Sequence, residues 1–419
     1  MFKKFWLIKE DDIGKQSVFW NMMSSGLNSI VSMLLLWVVT LLNGVSDAGI
    51  FSLGFSTSQM MLTIGNYGMR NYQATDVTNK YSIKVYEASR IITNIIMMIS
   101  VLGFVWYEGY YFEKALITIL LCLLKVTDAF DDVYGGYYQV KGRLDISGKI
   151  MSIRIGAYVL GFILTLIFTH SLLLSCLISI IISSIVLIVL IHSTKIIIPL
   201  EKPSFQWNKI WNLLTECFPL CISAFLLIYM GNAPKYAIDT YLTAKDQAYY
   251  TYLFMPCFVT NLFVGFALQP LLVRLSKSWV HKEYRKFIKL CGLIFAGALI
   301  ISTIIIIGGA ILGCPILSIV FGVSLSAYMN VLVVLLIGGA FFAFAVIEQV
   351  ILTVMRRQVY LLVGFGIASA IAMFISGILV KKFALLGAAY AYTISAGALF
   401  LVLAFMIFIF LYLEKKKNK

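Results

Sequence analysis

LISIIISSIVLIVLI, residues 177–191, is a run of fifteen side chains without one charge, and its reading decides the fold. A helix on the surface of a water-soluble domain would show a polar stripe at a period of 3.6, and none is present. A strand of this length placed in lipid would leave its backbone unpaired, whereas a helix satisfies every backbone group within itself. Working outward, the apolar run extends over 171–193, enough to cross a hydrocarbon core of about 30 Å. Similar stretches lie at 17–43, 47–69, 89–107, 115–139, 150–169, 213–234, 246–273, 288–312, 326–352, 359–380 and 386–412, which makes twelve. Of the 419 residues 61% are hydrophobic and 12% charged. That balance excludes a water-soluble enzyme and intrinsic disorder, and it leaves no basis for nucleic-acid binding despite a net charge of +14. The spans do not alternate apolar and polar residues as a β-barrel would, so the expected class is all-α and polytopic. The first stretch follows several lysines, as a signal peptide would, but it is too long for one and reads as a retained span.

The basic residues supply an orientation. Twenty-seven of the 33 Lys and Arg fall at the N-terminus, the C-terminus and the connections after even-numbered spans, with the first few residues of the span that follows counted in; the alternate connections hold only Lys114, Lys235, Lys245, Lys381 and Lys382. By the positive-inside rule both termini are cytoplasmic. A polar stretch at 196–212 separates two sets of six spans, predicting an N-terminal lobe (1–195), a linker (196–212) and a C-terminal lobe (213–419) around a central cavity. Short echoes between the halves agree with a duplicated transporter. Asp47-Ala-Gly-Ile-Phe51 opens span 2 and Asp246-Gln-Ala-Tyr-Tyr250 opens span 8. The seven cysteines lie in or beside spans and read as small packing residues; with three scattered histidines, no metal site and no cofactor are expected.

Ionisable residues inside spans are the positions most open to a functional reading. Span 4 carries Lys125, Asp128, Asp131 and Asp132, span 10 carries Glu348, and Glu216 lies near the start of span 7. Residues 115–127 would rise only about 20 Å as a helix, too short to cross, so span 4 must take its aspartates into the membrane. At 100° per residue the four charges share one face. Lys125 and Asp128, three apart, suit a mutual ion pair, but that leaves Asp131 and Asp132 unexplained. Neighbouring carboxylates in such a place suit uptake and release of a proton. On this count the spans are net acidic. Asn66 and Arg70 at the end of span 2, Lys235 and Asp239 after span 7, and Gln269 in span 8 are further polar positions near a possible path.

Three stretches carry a family resemblance: Gly65-Asn-Tyr-Gly-Met-Arg-Asn-Tyr-Gln-Ala-Thr-Asp76 with Lys80-Tyr-Ser82 and Tyr86 to Arg90; Asp128 and Asp131 with Tyr134-Gly-Gly-Tyr-Tyr-Gln139 and Gly142-Arg-Leu-Asp145; and Asn232-Ala-Pro-Lys-Tyr-Ala-Ile-Asp239 through Phe254-Met-Pro256 to Gln269-Pro-Leu-Leu272. In this order they resemble bacterial oligosaccharide flippases, the polysaccharide-transporter branch of the multidrug/oligosaccharidyl-lipid/polysaccharide exporter superfamily. The resemblance implies movement of undecaprenyl-diphosphate-linked repeat units of O-antigen or capsule type to the outer leaflet of the bacterial cytoplasmic membrane, beside a polysaccharide polymerase machinery. It makes Arg70, Arg143, Arg154 and Lys125 candidates for the anionic headgroup, with Lys235 and Asp239 nearer the outer opening and Asn66 and Gln269 along the path. Asp128, Asp131, Asp132 and Glu348 are then assigned to coupling with a proton or sodium ion. A cation exporter of the same superfamily would also use an acidic face. A membrane-embedded polymerase or ligase needs a large outer loop; the longest expected, at 314–326 and 234–245, are about a dozen residues and lack histidine. The chain is therefore read as a transporter rather than an enzyme.

Overall fold

A computed structural model describes residues 6–75, 80–199 and 203–417; the side chains of 75, 262, 266–270, 272–273 and 415–417 lie outside the description. The described residues are helical almost throughout and contain no strand. The helices are α1 (Glu10–Asn43), α2 (Val45–Asn66), α3 (Ile83–Tyr107), α4 (Phe112–Val140), α5 (Leu144–Thr169), α6 (Leu172–Thr194), α7 (Trp207–Tyr241), α8 (Ala244–Val280), α9 (Tyr284–Gly308), α10 (Met329–Val354) and α11 (Leu361–Lys417), with two short helices, Met69–Thr75 and Cys314–Phe321. Ala384 (φ 50°, ψ −132°) breaks α11, which therefore holds the last two of the expected spans.

Eight stretches of the described residues are long and apolar enough to cross a bilayer on length and composition alone. α2, α4 and α8 are long enough but more polar: α2 is rich in Ser, Thr and Gly, α4 carries four ionisable residues, and α8 begins and ends in charge. Together with the two spans of α11, these three complete the twelve expected from the sequence. The chain is a multi-pass membrane protein.

Several limits differ from expectation. α3 begins at Ile83, so Arg90 lies two turns inside a helix rather than at its start. α7 begins at Trp207, within the stretch read as a linker. α9 does not stop at 312: a π-helical turn, Gly309–Gly313, carries it into Cys314–Phe321, so the outer connection expected over 314–326 is largely helical. Pro315 falls in the first turn of that helix, where its missing N–H costs nothing.

The chain groups into two compact units, Met1–Phe225 and Leu226–Lys419. In the first, α1 packs on α5, α5 on α6, and α2 on α4; α4 also touches α3, α5, α6 and the short helix Met69–Thr75. A helix surrounded in this way can carry charge, because its polar face meets protein instead of lipid. In the second unit, α8, α9, α10 and α11 enclose an apolar core that includes Leu275, Phe287, Ile347, Leu352, Leu399 and Leu403.

Candidate functional site

Three features of local structure bring polar groups together inside the first unit. α4 runs 29 residues, about 43 Å at 1.5 Å per residue, so it crosses the bilayer with its aspartates included. α2 ends at Asn66, where Tyr67 and Gly68 both take positive φ (52° and 68°) and reverse the chain into Met69–Thr75. Gly68 suits this turn because a side chain would be strained there and would meet Leu220. The short helix then lies against the Gly135-Gly136 pair of α4: a methyl on Gly135 would stand 2.7 Å from the Ser147 hydroxyl and 3.3 Å from Nη1 of Arg70.

The result is a cavity of about 200 Å³ whose lining includes Asn66, Arg70, Asp128, Asp131, Asp132 and Arg154. Asn28, Gln59 and Ser147 add neutral polar groups to its wall. Arg154, 1% exposed, donates through Nε and Nη2 to Asp131 Oδ2 (3.1 and 2.9 Å) and through Nη1 to Asp128 Oδ1 (2.6 Å). Nη1 also reaches Thr127 Oγ1 and Ser183 Oγ, both at 3.1 Å. Lys125, 2% exposed, donates to Asp128 Oδ2 at 2.7 Å and stands 4.8 Å from the ring centre of Phe55. Asp132 is shared: Arg90 Nη2 lies 2.9 Å from Oδ2, and Arg70 Nη1 lies 3.4 Å from Oδ1. Arg90 is fully buried and also donates to the Gly65 carbonyl at the end of α2, which Thr93 Oγ1 reaches at 2.8 Å.

The acidic face of span 4 inferred from the sequence is thereby amended. Arg90 and Arg154, counted there among cytoplasmic basic residues, are buried inside the unit and pair with the aspartates. Four cations, Arg70, Arg90, Lys125 and Arg154, face Asp128, Asp131 and Asp132, an excess of one positive charge. Glu87, a turn before Arg90, is buried apart from the cavity wall and accepts a hydrogen bond from Tyr134.

The remaining sequence candidates lie elsewhere. Arg143 pairs with Asp145 at 2.8 Å and donates to the Trp6 carbonyl at 2.8 Å, anchoring the segment before α1. In the second unit, Lys235 is buried with its ammonium 5.5 Å from the centre of the Phe254 ring, and Asp239 follows one turn later on α7. Glu348 on α10 is 1% exposed, and its Oε2 has no hydrogen-bond partner among the described residues. The side chain of Gln269 lies outside the described residues. Arg90, which the sequence reading placed among cytoplasmic basic residues and within a family-like stretch, was given no site role there. Its available signal was spacing: Tyr86, Arg90, Thr93, Asn94 and Met97 form an i, i+4, i+7 stripe, and all are buried.

No protein-family model matches the sequence, and no curated protein does. Among solved structures, the chain is similar to an inward-facing multidrug resistance MATE family transporter of the MOP superfamily, with a TM-score of 0.74 at 11% identity over 94% of this chain and 96% of that one. It is similar to the lipid II flippase MurJ in an inward closed conformation, with a TM-score of 0.72 at 14% identity over 92% and 87%. A MOP superfamily transporter from Pyrococcus furiosus, described as having a binding pocket of reverse polarity, gives 0.63 at 12% identity over 96% and 95%. The fold is therefore that of MATE and MOP-superfamily transporters.

Proposed function

We propose that this chain moves an anionic lipid-linked oligosaccharide, of the undecaprenyl-diphosphate repeat-unit type, from the inner to the outer leaflet of a bacterial cytoplasmic membrane. The observation that carries the reading is the cavity in the first unit, where Arg70 and Arg154 line the wall beside Asp128, Asp131 and Asp132, and Arg90 and Lys125 pair with those aspartates from behind it, so that each carboxylate is matched by a cation within a membrane protein. A phosphate group brought there meets Arg70 and neutral donors out of bulk water, where charge-assisted hydrogen bonds are strongest. The flippase-like stretches of sequence and the transporter fold support it. Lobes at 1–195 and 213–419, alternating access between the two membrane faces, cytoplasmic termini and supply of a polysaccharide polymerase machinery for O-antigen or capsule belong to the same proposal.

Geometry divides the roles. Arg70 is the headgroup residue, with Asn66 beside it; Lys125 and Arg154 hold Asp128 and Asp131 in place. Lys235, Asp239 and Gln269 belong to a later part of the path. Coupling to a proton or sodium ion falls to Glu348, whose buried carboxylate has an unpartnered oxygen. Asp128, Asp131 and Asp132 are committed to cations, so their role in coupling is indirect. That pairing also weakens a cation-exporter reading, since a cationic drug would have to displace arginines already in contact.

Reconstitution in vesicles tests this. A labelled polyprenyl-diphosphate oligosaccharide should change leaflets, faster with an ion gradient, and a cationic dye should not be carried. Dye efflux without movement of the lipid-linked sugar would transfer the assignment to a cation exporter.

A further inference from the structure

Asp132 occupies an unusual position between two arginines of different standing. Arg90 is fully buried, touches Asp132 at 2.9 Å and is itself fixed by the Gly65 carbonyl and by Asn66 Oδ1 at 3.5 Å. Arg70 has a side chain 30% exposed, lines the cavity and reaches Asp132 only at 3.4 Å, on the other carboxylate oxygen. The other cations of the cluster are already committed. Arg154 uses Nε, Nη1 and Nη2 on protein acceptors, and Lys125 is buried between Asp128 and Phe55. Arg70 is thus the cation of this cluster that an incoming anion can reach, and Asp132 is what it must compete with.

From this we infer that Asp132 is a built-in competitor for Arg70, and that Arg90 is a positioning residue that sets how strongly it competes. The inference rests on the anionic-cargo reading above and adds to it a reason for release. A carrier's site must bind firmly enough to load and loosely enough to unload. When a phosphate or carboxylate of the cargo reaches Arg70, the long Arg70–Asp132 contact gives way and Asp132 keeps Arg90, so no charge is stranded in the membrane. When the cargo leaves, Asp132 is already in place to take Arg70 back. Arg90 holds the carboxylate through Oδ2 at the end of α2, leaving Oδ1 as the weaker contact. Without Arg90, Asp132 would give both oxygens to Arg70 in a fork, the stronger geometry, and shut the anion out.

The arrangement predicts a pattern that loss of packing would not produce. With inorganic diphosphate as the probe and purified protein in detergent, calorimetric titration should show Asp132→Asn binding about tenfold tighter than the original chain, the scale of one hydrogen-bonded charge contact. Arg90→Gln should bind about tenfold more weakly, and Arg90→Lys should recover part of that loss. The double variant Arg90→Gln/Asp132→Asn, which leaves neither charge unpaired, should bind as Asp132→Asn does, because Arg90 acts only through Asp132. Arg70→Gln should abolish binding in every background. Weaker binding by Asp132→Asn, an equal effect of Arg90→Gln with and without Asp132, or no probe binding in the original chain and Asp132→Asn alike would overturn the inference. Vesicle translocation by the same proteins separates the two levels. Tighter probe binding in Asp132→Asn with no lipid movement by the original chain would remove the flippase reading and leave the anion site; lipid movement with weaker binding in Asp132→Asn would do the reverse.

Discussion

Arg154 gives all three guanidinium nitrogens to Asp131, Asp128, Thr127 and Ser183, and it is 1% exposed. Replacing it by Leu strands Asp131 in the interior while Asp128 keeps Lys125, a loss expected at about 3–5 kcal/mol. Thermal unfolding in detergent should show Arg154→Leu strongly destabilised, whereas Asp131→Asn with Arg154→Met, which leaves the Lys125–Asp128 pair intact, should recover much of that loss. A double variant no better than the single one would mean that packing, not charge, holds the cluster. How such a cluster could be read beforehand differs from residue to residue. Lys125, Asp128, Asp131 and Asp132 were legible because one helix period places them on one face. Their partners were not, since Arg90 and Arg154 lie 42 and 23 residues from the aspartates they bind, and only packing brings α3 and α5 to them. Counting charge by position in the chain then made the face of α4 look acidic; counting it by contact brings four cations to its three aspartates.

The turn after α2 and the helix that follows it put Arg70 where an anion can find it. Gly135 and Gly136 have no room for a side chain against that helix, so Gly135→Leu should push Met69–Thr75 away, abolish diphosphate binding and leave α4 helical by circular dichroism. Unaltered binding in Gly135→Leu would remove the short helix from the account. The same helix is tied to α7 through Glu216, which accepts from Tyr72 at 2.5 Å, Lys80 at 2.6 Å and Tyr81 at 3.3 Å. The carboxylate draws the Lys80 ammonium above its ordinary range and pushes the Tyr72 hydroxyl up to about 12. A group whose folded pKa is raised stabilises the fold fully below its unfolded value and loses that contribution as pH rises through the folded one. Amide protection over Met69–Thr75 should therefore stay level up to about pH 10 and fall near 12, and Glu216→Gln should lower it already at neutral pH. A fall between pH 7 and 9 would contradict the ion-pair assignment. Element limits were the least legible feature of the sequence. α9 continues through a π turn into Cys314–Phe321 because Gly309 and Gly313 let it lie close to Leu336 and Leu332, a tertiary fact with no local signature.

Across the whole molecule, length, apolar content and the alternation of basic connections were enough to expect twelve spans, since a bilayer leaves a long apolar chain few other forms. The transporter fold followed from that, while the cargo did not, because one fold hosts many cargoes and the difference lies in a few charges within it. That difference is placed at Arg70, the reachable cation of a cavity whose three aspartates are already paired. The most direct measurement is the rate at which a labelled polyprenyl-diphosphate oligosaccharide changes leaflets in vesicles holding equal amounts of the original chain and of Arg70→Gln. The account predicts movement by the original chain and a fall of at least about tenfold in Arg70→Gln, the loss of one charged hydrogen-bonding contact to the headgroup. Equal rates in the two would contradict it.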